Sequence, residues 1–234
     1  MIEMRAELGV AGVPETDLPA DLVARLPENR SGAPWECRAQ SLVWTGIGGR
    51  AARAALPEGI RAQVDPLAVV GGLVRYVDTP VGPYDEVLGI VGVRDGAKVR
   101  GSVTFMAVDS EVSLVGGRTN WAMPKTLAEF SGDIGNGETM TATSTVGIPW
   151  RVSATPRIIA PPVPFVTKMK AVQQFADGRV GASVLGVRGK MRAALINVEV
   201  ESDGPLPTWL RKGRHLGAVV ESMTFTLGVP ELST

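Results

Sequence analysis

The chain has 234 residues, and its 24 Lys+Arg balance its 24 Asp+Glu to a net charge of zero. That length can bury a sizeable core as one large domain or two small ones, and the balance excludes the basic footprint of a nucleic-acid binder or a cationic membrane surface. One cysteine, Cys37, rules out an internal disulfide and a cysteine metal cluster, while 28 glycines and 17 prolines argue for many turns and against a helical bundle.

Residues 1–34 are polar and proline-rich and read as an N-terminal arm with a short helix near 19–26. Its start, MIEMRAELGVAG, lacks the basic-then-apolar layout of a secretory signal. The apolar runs further on break well short of the roughly 18 residues of a membrane span, so a cytoplasmic location is expected. From Cys37 the texture changes. RAQSLVWT reads as a strand and AARAALPEG as one short helix stopped by Pro57. LAVVGGLVRYV, YDEVLGIVGV and VRGSVTFMAV are rich in Val, Ile, Phe and Tyr and read as strands. PKTLAEF reads as a short helix with Pro124 in its first position. Asn136-Gly137 signals a turn, and the strand-like ETMTATSTVG and WRVSATPRIIA follow. After a bend over 161–164 come QQFADGRVGASVLGV, turned at Asp177-Gly178, and KMRAALINVEVES, with Gly189 as another turn. HLGAVVESMTFTLGV closes the chain as a last strand. Long helical periodicity is missing, and strands joined by turns point to antiparallel pairing, with closure into a barrel as one way to remove exposed edges.

Few residues suggest chemistry. The glycines of LVWTGIGGRAARAAL lead from a strand into a helix, as in a dinucleotide site, but Pro57 ends the helix early and no alternating strand–helix pattern follows; a glycine turn is the simpler reading. His215 is the single histidine and has no GxSxG elbow to serve. One His and one Cys leave a metal without a ligand set. Glu86 is more informative. Alternation puts Tyr84, Glu86, Leu88 and Ile90 on one face of a strand whose other face is also apolar, so Glu86 either points into a lined interior, where a lone carboxylate is costly, or sits wet at the strand mouth. Lys125 follows Trp121, Met123 and Pro124. At the positive end of a short helix and against apolar neighbours its ammonium would be disfavoured, and a neutral amine attacks carbonyls; the plainer reading is an exposed lysine after a proline turn.

The run GGRTNWAMPKTLA resembles the signature of acetoacetate decarboxylase, in which a glycine-arginine pair leads through an aromatic residue to Pro-Lys-Lys-Leu, and Lys125 stands where that family has its Schiff-base lysine. DTPVGPYDEV resembles the segment carrying an active-site glutamate, and Glu86 matches it. The resemblance runs from about residue 35 to the C-terminus. It implies a mainly β protein, an antiparallel closed β-barrel with a few short helices over 35–234. It further implies catalysis by Lys125 and Glu86 with no cofactor and no metal, and a homo-oligomer. Arg118, Arg38, Trp121, Met123 and Tyr84 are the candidate substrate contacts. Three departures stand out: Thr126 replaces the second lysine, whose charge the resemblance credits with helping to lower the nucleophile's pKa; a second family glutamate would fall near Gly71 or Gly72 and is absent; and the family's substrate-binding arginine falls at Cys37 or Arg38, where a one-residue offset reverses the side chain's direction. The reaction implied is decarboxylation of acetoacetate or a related β-keto acid through an imine. The alternatives are aldol-dehydration chemistry on a 2-oxo acid through the same lysine, and a non-catalytic barrel that binds a small apolar carbonyl compound.

Overall fold

The structure, a computed structural model, describes residues 5–62, 64–95 and 98–233; the first four residues of the expected arm lie outside them. The arm makes two short 3-10 turns at Ala6–Leu8 and Pro14–Thr16 before helix α1, Ala20–Arg25. Then follow β1 (Trp35–Ile47), α2 (Arg50–Ala55), α3 (Glu58–Arg61), β2 (Asp65–Asp78), β3 (Tyr84–Asp95) and β4 (Lys98–Val108). Helix α4 (Glu111–Trp121) leads to β5 (Lys125–Gly132), β6 (Met140–Ser144), β7 (Trp150–Ile158), β8 (Val163–Gln174) and β9 (Val180–Ser202). The chain ends with α5 (Leu206–Trp209), β10 (Gly213–Leu227) and β11 (Glu231–Leu232).

Among the described residues, β1 to β7 hydrogen-bond in sequence order, β7 pairs with β9, and β10 joins β9 back to β1, so nine strands form a closed circuit. The expected antiparallel pairing holds for most neighbours and fails within the circuit between β4 and β5, which are parallel, in the register Met106↔Lys125 and Val108↔Leu127. A parallel pair needs a crossover rather than a hairpin, and α4 supplies it. Strand β8 also runs parallel to β4 at Gly101↔Ala171. Gln173 completes that junction: its amide donates to the carbonyls of Val103 and Ala122 and accepts from the Val103 N–H and the Ser102 hydroxyl.

Four local expectations are corrected. Lys125 begins a strand, not a helix, because Ala122 adopts a left-handed conformation (φ 54°) that ends α4, and Pro124 stands just beyond that end, where proline blocks continuation. The helix at 51–59 stops before Pro57, but a second one, α3, starts directly after it. Gly189 makes no turn: β9 runs through it, and it is needed because a side chain there would meet the Ser222 carbonyl at 2.2 Å. The last strand is β11, after β10.

Strands β1 to β4 are buried on both faces. Leu42, Leu73, Val87, Val91 and Phe105 pack into a core with α2, α5 and residues of β6, β7 and β9. On the opposite face Cys37, Ala39, Tyr76, Tyr84, Met106 and Val108 pack against α4 and against Leu8, Leu22 and Leu26 of the arm. The second core holds the site.

Candidate active site

Strand β3 presents its residues as alternation predicts. Val87 and Val91 belong to the first core, and Tyr84 to the second with Leu88 and Ile90 packed on it. Glu86 shares that second face and is buried. The hairpin between β2 and β3 pairs Tyr76 with Tyr84 and Val74 with Glu86. The two tyrosine rings stack at 4.2 Å, and the Tyr76 hydroxyl donates to Glu86 Oε1 at 3.0 Å.

Lys125, on β5, reaches the same place across β4. Its Nζ lies 2.9 Å from Glu86 Oε2, and the two side chains are only 4% and 2% exposed. Nζ also donates to Ser113 Oγ at 2.9 Å and to the Tyr84 hydroxyl at 3.5 Å, with the Tyr84 ring centroid 5.0 Å away. An ammonium carries three N–H donors, and here each has an oxygen.

The electrostatics differ from the sequence expectation. Burial is the largest single influence on Lys125 and works against its charge, but Glu86 and Tyr84 together outweigh it and hold the amine above its ordinary value of 10.5. The lysine at rest is therefore an ammonium, and its proton must leave before it can act as a nucleophile. Burial pushes the Tyr84 hydroxyl up to about 12 and the Tyr76 hydroxyl well above its usual range, the latter helped by the Glu86 charge. Burial likewise pushes the Cys37 thiol up to about 12. Both tyrosines and the thiol are thus protonated at neutral pH.

The remaining predicted residues divide. Tyr84 is at the amine. Trp121 and Met123 are buried in the same core, Trp121 edge-on to Trp35 at 5.0 Å with its indole N–H on the Gly228 carbonyl. Arg118 is buried but faces away from the amine: it donates to the backbone carbonyls of Lys125, Leu8 and Thr16, and burial pushes it down to about 10. Three of its five N–H donors are thus taken by backbone carbonyls. Arg38 is exposed, 3.0 Å from Asp78, on an open groove of ≈ 540 Å³ shared with Arg188 and Lys190. The side chain that points inward at this step of β1 is Cys37, as the one-residue offset anticipates. Thr126 alternates away from Lys125, and its buried hydroxyl has no hydrogen-bond partner. A charge at 126 would thus not stand beside the amine, contrary to the role expected for a neighbouring lysine. His215 sits apart on β10, its ring nitrogens against the Thr45 and Arg211 carbonyls.

Sequence reasoning missed Tyr76 and Ser113. Tyr76 was readable, since DTPVGP makes 76 and 84 equidistant from a hairpin turn. Ser113 was not, because the stretch around Gly116 and Gly117 carries little helical signal.

The structure thus places a buried lysine–carboxylate ion pair on a mixed β ring. The acetoacetate decarboxylase family model matches residues 47–147, a span that contains both Glu86 and Lys125. Several solved structures share the fold. The acetoacetate decarboxylase of Legionella pneumophila is 16% identical over 97% of each chain with a TM-score of 0.61. The enduracididine biosynthesis enzyme MppR is 16% identical over 87% of this chain and 89% of its own, with a TM-score of 0.63. An acetoacetate decarboxylase-like enzyme from Sphingomonas wittichii RW1 is 17% identical over 95% and 99%, with a TM-score of 0.62. Among curated proteins none matches. The chain is thus similar in sequence to the acetoacetate decarboxylase family over residues 47–147 and shares the fold of acetoacetate decarboxylase-like proteins.

Proposed function

We propose that the protein is a Schiff-base-forming lysine enzyme that decarboxylates acetoacetate or a related β-keto acid. The observation that carries this reading is the buried Lys125 amine, 2.9 Å from the Glu86 carboxylate. Glu86 takes the ammonium proton, and the free amine attacks the ketone carbon. The carbinolamine loses water to give a protonated imine. The bond to the carboxylate then breaks, its electron pair moves toward the imine nitrogen, and carbon dioxide leaves. The enamine carbon accepts a proton from Glu86, and water hydrolyses the imine to release the ketone and restore the amine.

A 2-oxo acid aldolase–dehydratase is the second reading. It is favoured by the likeness to MppR, which was solved with pyruvate and with the condensation product of pyruvate and imidazole 4-carboxaldehyde. That chemistry keeps its carboxylate bound throughout and so needs a cation for it. Arg118 is engaged by carbonyls and Arg38 faces solvent. A carboxylate without a paired cation in an apolar site is better suited to leaving as neutral carbon dioxide. A barrel that only holds a carbonyl ligand would not need the ion pair.

The test is reductive trapping. With acetoacetate and borohydride, the peptide containing Lys125 should gain the mass of the reduced adduct. Carbon dioxide release should rise toward alkaline pH and vanish in Lys125→Ala. Trapping of pyruvate with no carbon dioxide release from acetoacetate would transfer the assignment to the aldolase–dehydratase. No adduct with either acid would remove both.

A further inference from the structure

Helix α4 does more than cross between β4 and β5. Ser113 and Gly117 are four residues apart, so they lie on one face of the helix, and both meet Lys125. The Ser113 hydroxyl is 2.9 Å from Nζ. At Gly117 a side chain would come within 2.6 Å of Lys125 Cδ and Cε, so the lysine stem lies against bare backbone. One residue on, Arg118 Nε holds the Lys125 carbonyl at 2.7 Å. The helix thus holds the lysine at head, stem and backbone, while its own ends are fixed by the Ser110 cap on the Ser113 N–H and by the left-handed Ala122. Ser113 is completely buried. A hydroxyl in that position would be costly to keep unless it met polar partners, and those it meets are the amine and the Tyr84 hydroxyl.

The three oxygens around Nζ are not equivalent. Glu86 and Ser113 are both at 2.9 Å, and the Tyr84 hydroxyl is at 3.5 Å. Two short bonds fix the amine's rotation about Cε–Nζ and leave the third direction, toward Tyr84, the most easily vacated. A carbonyl carbon entering there meets the nitrogen lone pair once the proton has gone. We propose that the Ser113–Gly117 face of α4 is the cradle that aims the Lys125 amine, with Ser113 as a positioning residue for attack on a carbonyl. This rests on the reading of Lys125 as a carbonyl-directed nucleophile and deepens it.

The experiment uses formaldehyde, the smallest carbonyl, so that the aim of the amine is read without assuming a substrate. Formaldehyde and the amine form a carbinolamine, which loses water to an imine. Cyanoborohydride then adds hydride to the imine carbon and leaves an N-methyl group. The rate at Lys125 is followed by peptide mass spectrometry from about pH 7 to about pH 11, with exposed Lys168, Lys170 and Lys212 as internal controls. Ser113→Ala removes an acceptor of the ammonium, so an effect on acidity alone makes Lys125 easier to deprotonate and faster to label. Loss of aim makes it slower. We expect labelling of Lys125 to slow about ten- to a hundredfold at every pH, with the control lysines unchanged. Gly117→Ala, which raises helix propensity but pushes on the stem, should slow it as well. Equal or faster labelling in folded Ser113→Ala overturns the proposal, as does failure of wild-type Lys125 to label at any pH. Labelling by formaldehyde without trapping of any keto acid would instead remove the decarboxylase and aldolase readings and leave the cradle standing.

Discussion

At the scale of the residue, the pair of Lys125 and Glu86 sets the behaviour of the site. Each is costly to bury alone, and each makes the other tolerable. Removing one partner leaves an uncompensated charge, so Lys125→Met and Glu86→Gln should each destabilise the fold by about 3–5 kcal/mol. The double variant should recover part of that loss in thermal unfolding. The sign of the acidity change is also set. Without Glu86, burial is left as the leading influence on Lys125, so Glu86→Gln should lower the midpoint of its pH-dependent labelling. The wild-type lysine, held above 10.5 in the fold, contributes stability that is fully present below its ordinary value and is lost as pH rises through the folded one. Thr126 offers a contrasting case. Its hydroxyl is buried and unpartnered, so Thr126→Val should raise stability by about 1 kcal/mol and leave labelling of Lys125 unchanged. A fall in melting temperature would show that the hydroxyl finds a partner in solution.

At the scale of the element, two junctions decide where the lysine goes. One is the left-handed Ala122, which ends α4 and lets β5 start beside β4. The other is Gln173, whose side chain joins β8 to β4 and to the Ala122 carbonyl. Replacing Gln173 with Leu leaves the Val103 N–H and two carbonyls to find new partners in a buried setting. Each such orphan costs about 1–3 kcal/mol. The variant should therefore lose several kcal/mol in denaturant unfolding, and amide exchange should quicken first along β4 and β8. Uniform protection with unchanged stability would rule out the junction. The elements were unevenly legible beforehand. Strands rich in Val, Ile, Phe and Tyr stood out because β-branched and aromatic residues suit a buried, pleated surface. Helix α4 did not, because Ser113, Leu114, Val115, Gly116, Gly117, Arg118 and Trp121 are all buried. A helix covered on most sides has no polar stripe to reveal its period.

At the scale of the whole molecule, the sheet is shared between two cores, and the arm closes the second one. Leu8, Leu22 and Leu26 cover the face that holds Tyr76 and Tyr84, and the Leu8 and Thr16 carbonyls receive the Arg118 guanidinium. Glu15, also fully buried, accepts from the Ser202 hydroxyl at 2.8 Å and the Leu206 N–H at 2.7 Å, tying the arm to β9 and α5. Deleting residues 1–16 should thus expose apolar surface, leave Arg118 short of two acceptors, and produce dye binding, a lower melting temperature and slower trapping at Lys125. If the shortened chain melts and traps like the full one, the arm is an appendage. A proline-rich stretch without periodicity gives no hint of its hold on Arg118, because those contacts are made by backbone carbonyls, which every sequence has.

What the sequence by itself determined was the mainly β character and the face that Glu86 shares with Tyr84, Leu88 and Ile90, since these follow from composition and local alternation. What only the tertiary structure decided was the company those residues keep. The parallel β4–β5 pairing, the stacked Tyr76 and Tyr84, the Ser113 hydroxyl at the amine, the outward turn of Arg38 and the capture of Arg118 by the arm all depend on contacts between distant segments. So does the charge state of the lysine. Its own neighbours in the chain left open an exposed lysine or an amine stripped of its proton, and a carboxylate 39 positions away, brought to 2.9 Å by folding, holds the proton in place. Electrostatic energy falls with distance in space, not along the chain, and that is why the acidity of the site could not be read from the residues around it.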